Sequence, residues 1–385
     1  MDAWIDPRSL HNSTCTMIDT RGIVEPCSHR DCHPGMAIAY CSVLALAYVG
    51  SLYVFVPPVI RKLSRDHPTH IKYRSQACLI VCAGAILSYP SIFCADENTT
   101  NDDNRPLFSV GRTMLLPPLG DESLRHIFGV FLHTCILYTG PSVACLLYKY
   151  ELRKRSSKQG SPPTVSDLAK GYVRSLRPNN EQQLWIALRN YFIAPWTEEI
   201  IFRGCMIQAL LATGMSNKKT AIVAPFFFGI AHIHHALKRF SQGEKPKLII
   251  LTTIFQFLYT SLFGSYASHA FIRVGSILSV TISHSYCNWM GLPDLSCFGN
   301  SRHTLYPYRL IIFVSYVVGI VAFWYFFRLS VLLPLPPELP GLINTKHSSM
   351  QMVWSFIDLR FWVYNIQLYL RLRLLQLTKC SDKKC

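Results

Sequence analysis

Charge is scarce in this sequence, and negative charge is scarcest. Only 16% of the 385 residues are Asp, Glu, Lys or Arg, and the acidic ones number 22. A soluble globular domain averages about 25% charged residues, so a water-soluble fold with a solvated shell is excluded. Also missing are a cleavable leader, an internal repeat, any nucleic-acid-binding motif, and HExxH, the two-histidine helix of many zinc peptidases. The segment "CSHRDCH" (27–33) has no second ligand pair at finger spacing, which leaves a zinc finger without support. The first apolar run starts near Met36, behind a polar stretch with three cysteines, and is expected to be a retained signal anchor.

What the chain has in quantity is apolar length. Half of it is hydrophobic, and several runs approach the ~20 residues that cross a hydrocarbon core of about 30 Å. Candidate segments are 36–56, 75–94, 126–148, 184–214, 220–237, 248–272, 276–291 and 309–333. Helices are the open option, because lipid offers no partner to unpaired backbone groups. The expected fold is therefore all-α: a polytopic transmembrane bundle of about eight hydrophobic segments around a central polar cavity. The seventh segment is short for a span and is expected to form a hairpin with the sixth. Three divisions follow: a polar N-terminal segment (1–35), a transmembrane catalytic domain (36–333, its core 184–294), and a basic amphipathic tail (334–385).

Charge distribution orients the bundle. The net charge of +16 fits basic cytosolic loops, with no nucleic acid required. The loop "RKLSRDHPTHIKYR" (61–74) and the stretch "KYELRKRSSKQG" (149–160) are basic and assigned to the cytosol. The segment after residue 94, "ADENTTNDDNR", is acidic and assigned to the lumen, as is the N-terminus. Sequons at Asn12 and Asn98 fall on that same side. The tail carries Arg360, Arg371, Arg373, Lys379, Lys383 and Lys384, so seven spans with a cytosolic tail are expected, the tail lying as an interfacial helix. Cys78, Cys82, Cys135 and Cys145 sit in apolar runs as small core residues. Cys15, Cys27 and Cys32 are positioned for a disulfide if the N-terminus is lumenal.

Against this background, "TEEIIFRG" (197–204) places three ionisable groups in an apolar stretch. Each costs about 2.5–3.5 kcal/mol at a helix centre on insertion scales, so partners are required. Glu199 and Arg203 are four apart and share a helix face, which makes them an ion pair. Glu198 lies about 100° round the helix without a cation of its own, free to face a cavity. Pro195 is expected to bend the helix or open its hydrogen bonding. Alone, "EExxxR" fits a plain buried ion pair equally well. Downstream, "FFFGIAHIHHA" puts His232 on the face of Phe228, and a single such histidine is more often a core residue. His234 and His235 lie nearer a basic loop. "ISHSYCNWMG" puts His284 and Asn288 on one face, where two donors can hold one oxyanion or simply bond a neighbouring helix. Three segments each delivering a polar face favour a water-activating hydrolase: carboxylate and imidazole take a proton from water, and donors take the intermediate's charge.

The ordered set "EExxxR", "FxxxH" and "HxxxN", with flanks "RNYFIAPWTEEIIFRGCM" and "FQFLYTSLFGSYASHAFIRVG", resembles the type II CAAX prenyl endopeptidases, the Ras-converting branch of the CPBP (ABI) membrane proteases. The resemblance spans about 189–294. It implies an endoplasmic reticulum enzyme that removes the aaX tripeptide from farnesylated or geranylgeranylated CAAX proteins such as Ras-type GTPases. It further implies that Glu198 is the general base, that His232 orients the water, and that His284 and Asn288 form the oxyanion hole. Glu199 and Arg203 support them, and no cofactor is used. Beside this stand a zinc-dependent version built on the same histidines and glutamates, a proton-coupled transporter using Glu198 and His232 as a relay, and a non-catalytic scaffold.

Overall fold

The computed structural model describes residues 15–18, 24–27, 32–93, 121–156, 178 and 180–329. The acidic segment 94–120, both sequons and the tail 334–385 lie outside them. Two short strands, β1 (Cys15–Ile18) and β2 (Val24–Cys27), pair antiparallel with Cys15 opposite Cys27. Everything else regular among the described residues is helical.

Helix α1 (Pro34–Val54) starts where Pro34 has no amide to waste and the His33 ring accepts from the Gly35 amide at 3.1 Å. It packs on α2 (Pro68–Phe93), where the small Ala85 is buried. Small side chains let membrane helices approach closely, and the Tyr40 hydroxyl closes the contact by donating to the Ala85 carbonyl at 3.1 Å.

The third hydrophobic segment departs from the single span expected over 126–148. It is a pair, α3 (Asp121–Leu137) and α4 (Thr139–Ser156), bent by 67°. Gly140 and Pro141 sit at the bend, where proline supplies no amide to the helix ladder. Helix α10 (Arg309–Leu329) seats against this bend: the Tyr316 ring lies over Gly140, and Gly319 faces the Ile136 carbonyl.

Residues 181–211 form one irregular helix, α5. Its α-helical stretches Glu181–Leu188, Ala194–Glu199 and Met206–Leu211 alternate with π-helical turns at Arg189–Ile193 and Ile200–Cys205. Asn180 caps it, accepting from the Gln183 amide at 2.8 Å. Pro195 follows the first π turn, so the opening expected from a missing amide takes the form of an inserted residue.

The segment read as 220–237 is also interrupted. Helix α6 (Asn217–Ala231) ends at His232, and α7 (His234–Ser241) follows after a turn. Helix α8 (Pro246–Val274) runs 29 residues and closes on Gly275 at φ 65°, a left-handed cap that glycine adopts without strain. Ser276 then caps α9 (Ile277–Met290), whose 14 residues make about 21 Å of helix, short of a membrane core.

The eight expected segments are helical where described, yet the expected seven spans do not result. Among the described residues five helices are long and apolar enough to cross a membrane, or six if the bent pair counts as one. The short α9 was not expected to span, and α5 drops out because it carries charges through its middle. The chain is a polytopic helical membrane protein, and α5 and α9, which bear most of the polar candidates, pack on one another inside the bundle.

Candidate active site

The centre of the site is an ion pair built into α5. Glu199 is 0% exposed and Arg203 1% exposed, with Arg203 Nε at 3.1 Å from Glu199 Oε2. The guanidinium's other two nitrogens are buried without hydrogen-bond partners. Its flat face instead lies over the rings of Phe228 (4.5 Å) and Phe263 (5.7 Å), where the ring quadrupoles favour a cation. Gly264 leaves the room: a Cβ there would stand 3.0 Å from Pro225 Cβ and 3.5 Å from Arg203 Nη2.

Glu199 serves a second partner. Its Oε1 accepts from His284 Nδ1 at 2.6 Å, tying α9 to α5. The other ring nitrogen, Nε2, stands 3.8 Å from Glu198 Oε2. A chain therefore runs Arg203, Glu199, His284, Glu198, with only its last member opening outward: the Glu198 side chain is 19% exposed. Neighbouring glutamates are held in different surroundings, one sealed beside an arginine, one partly exposed.

His232 stands at the C-terminal cap of α6, not inside the helix as its spacing suggested. Its Nδ1 donates to the Phe228 carbonyl at 2.7 Å, which leaves Nε2 with its lone pair available. The Phe228 ring contacts His232 edge-on at 4.7 Å and His284 at 6.2 Å, so the histidines flank one aromatic wall. His232 has no direct hydrogen bond to Glu198 or His284 among the described residues. Asn288, one turn beyond His284, is exposed and donates from Nδ2 to the Asn190 carbonyl at 3.0 Å. One of its amide hydrogens is left uncommitted.

Two contributors escaped the sequence reading. The Tyr48 hydroxyl bonds Thr197 Oγ1 at 2.9 Å, and Thr197 bonds the Ile193 carbonyl at 2.9 Å. Together they pin the turn before Glu198 to α1. Tyr48 lies in an apolar run that carries no mark of a site. Asn190, which anchors Asn288, offers its carbonyl from the first π turn. Among the described residues, no group of three or more His, Cys, Asp or Glu side chains is arranged to hold a metal ion. Glu199 Oε1 is hydrogen-bonded to His284, and Oε2 lies 3.1 Å from Arg203 Nε as an ion pair without a hydrogen bond.

This pairing of a sealed Glu–Arg–His core with one open glutamate lies in the stretch matched by a family model. That model is described as Type II CAAX prenyl endopeptidase Rce1-like and covers residues 180–290. The human protein "CAAX prenyl protease 2" is 34% identical over 318 residues, 80% of this chain and 83% of that one. The chain belongs to the type II CAAX prenyl endopeptidase family. The Arabidopsis thaliana "CAAX prenyl protease 2" is 28% identical over 80% of this chain and 91% of its own length. The Schizosaccharomyces pombe "Probable CAAX prenyl protease 2" is 37% identical over 36% of this chain and 50% of its own. No solved structure matches. Membership makes the chain an endopeptidase and brings Glu198, His232, His284 and Asn288 into one family-matched stretch.

Proposed function

We propose that this membrane endopeptidase removes the C-terminal aaX tripeptide from farnesylated or geranylgeranylated CAAX proteins, Ras-type GTPases among them. It works without a metal cofactor, in the endoplasmic reticulum membrane, with its site open to the cytosol. The relatives named for prenylated CAAX processing support the substrate class. The orientation rests on Arg189 of α5, which binds Asp66 of the basic loop at 2.8 Å and so sets the site at that loop's end of the bundle. A prenyl chain lying in the bilayer brings the scissile bond to that depth.

One observation carries the mechanism: Glu199 pairs with Arg203 and accepts the hydrogen bond from His284 Nδ1, which leaves Glu198 as the partly exposed carboxylate available to water. Glu198 accepts a proton from water as the water oxygen attacks the carbonyl after the prenylated cysteine. His232, with Nδ1 donated to Phe228, presents Nε2 as an acceptor that orients the same water. The carbonyl oxygen becomes an oxyanion, held by Asn288 Nδ2 and by His284. His284 donates through Nε2 only as an imidazolium, since its Nδ1 proton is spent on Glu199. Collapse of the intermediate breaks the C–N bond, and the proton held by Glu198 passes to the departing amine. The prenylcysteine keeps a new carboxylate and the tripeptide leaves as an amine.

A zinc-dependent version needs at least three ligating side chains converging on one ion, and among the described residues no such group of His, Cys, Asp or Glu occurs. The transporter and scaffold readings gain nothing from an endopeptidase family assignment. The test is direct: membranes holding the full chain should release the aaX tripeptide from a farnesylated CAAX peptide. Glu198→Gln should accumulate normally and lose at least 10³-fold in rate, a loss within the range for general-base removal. Undiminished release by Glu198→Gln would refute the assignment of the base.

A further inference from the structure

We infer that Arg65 and Arg74, braced by Arg189, form a pocket for the free α-carboxylate at the end of the scissile peptide. The inference rests on the peptidase reading above and adds how the enzyme recognises that its bond is the third from a chain end.

The loop 61–74 is basic, yet its arginines are not spread into solvent. Arg65 and Arg74 are half-buried, where α2 packs beside the first π turn of α5. Arg189 from that turn donates to the Arg65 carbonyl at 3.1 Å and to Asp66 Oδ1 at 2.8 Å. Asp66 is thereby used, and neither Arg65 nor Arg74 has an ion pair among the described residues. Arg65 Nε is buried with no partner at all. A half-buried guanidinium with an orphaned donor is costly unless an anion completes it. Burial, with the Arg74 and Arg189 charges nearby, lowers the affinity of Arg65 for its proton, a strain that a bound anion would relieve.

Distance selects the anion. On α2, Cys82 donates to the Thr197 carbonyl at 3.5 Å, so that level of the helix is beside Glu198. Arg74 lies eight residues earlier on the same helix, about 12 Å along the axis. Three extended residues reach about 10 Å. A CAAX peptide with its scissile carbonyl at Glu198, running along α2, therefore sets its terminal carboxylate within reach of Arg74 and Arg65. Arginine forks suit carboxylates, and a charge-assisted pair of this kind contributes about 1.5–3 kcal/mol.

The test compares one farnesylated CAAX peptide as free acid and as C-terminal carboxamide, with the full chain in neutral-lipid proteoliposomes. The wild type should favour the acid in kcat/KM by about 10- to 100-fold. Arg74→Gln and Arg65→Gln should bring that ratio toward one, chiefly through KM for the acid, and Arg74→Lys should restore part of it. Should Arg74→Gln fail to accumulate, Arg65→Gln, in the loop, gives the same readout. Equal cleavage of acid and amide by the wild type overturns this inference alone, and cleavage of neither overturns the peptidase reading with it. An equal loss on both peptides also overturns it. If that loss appears only in vesicles containing anionic lipid, the pocket holds a headgroup instead.

Discussion

His284 gives its Nδ1 proton to Glu199 Oε1 across 2.6 Å, joining helices whose residues are 85 apart in sequence. The bond fixes the orientation of the imidazole and turns Nε2 toward Glu198, 3.8 Å away. It also gives Glu199 two duties, counter-ion for Arg203 and positioner of His284.

Those duties separate under mutation. Glu199→Ala strands Arg203, which is 1% exposed, and breaking a buried pair costs about 3–5 kcal/mol. Faster thermal inactivation in detergent should follow. Adding Arg203→Met removes the stranded charge and should recover most of the half-life. Activity should stay low in that double variant, because His284 still lacks its acceptor. A double variant with wild-type turnover would reduce Glu199 to a counter-ion.

Asn288 is exposed and already spends one amide hydrogen on Asn190. If its remaining hydrogen holds the oxyanion, as proposed, Asn288→Ala should lower kcat about 10²- to 10³-fold with KM little changed. Because the residue is exposed, accumulation should be normal. A rise in KM with kcat intact would instead make Asn288 a substrate-binding residue.

The sequence made some of this legible and hid the rest for identifiable reasons. The Glu199–Arg203 pair follows from i, i+4 spacing, a local property. Its third member, His284, does not, because the contact depends on how α9 lies against α5. The π turns on either side of Ala194–Glu199 shift the hydrogen-bond register by one residue, which composition does not record; Pro195 marked the place but not the form. The bend between α3 and α4 was missed for a similar reason: an apolar run reads the same straight or broken, and only "TGP" at 139–141 hinted at the break. Tyr48 was invisible inside an apolar helix, since its partner Thr197 lies on another element.

Close packing of α6 on α8 gives a stability prediction remote from the chemistry. A Cβ on Gly229 would come within 2.5 Å of Ser261 Oγ and 2.8 Å of the Phe257 ring. Gly229→Ala should therefore push the helices apart at a cost of about 1–3 kcal/mol. Gly50 has open space around it and serves as the control: Gly50→Ala should be neutral or slightly stabilising. Equal thermal stability of the two variants would show that α6 and α8 do not meet so closely.

The last prediction separates metal-free from zinc-assisted hydrolysis. With Glu199 already paired with Arg203 and His284, the groups proposed to meet the water are Glu198, His232 Nε2 and His284 Nε2. If Glu198 acts directly on water, strong chelators should leave the purified enzyme at full rate, and elemental analysis should find no stoichiometric zinc. If instead those donors held an ion, chelation should abolish activity, zinc should restore it, and affinity should fall as pH drops, because ligands must shed protons to bind. Glu198→Gln and His232→Ala make the comparison sharper. Both should be inactive on either account, but only a zinc site would lose metal in step with activity. Zinc content that tracks turnover across these variants would overturn the metal-free mechanism, while leaving the carboxylate pocket at Arg65 and Arg74 to be judged by its own acid-to-amide ratio.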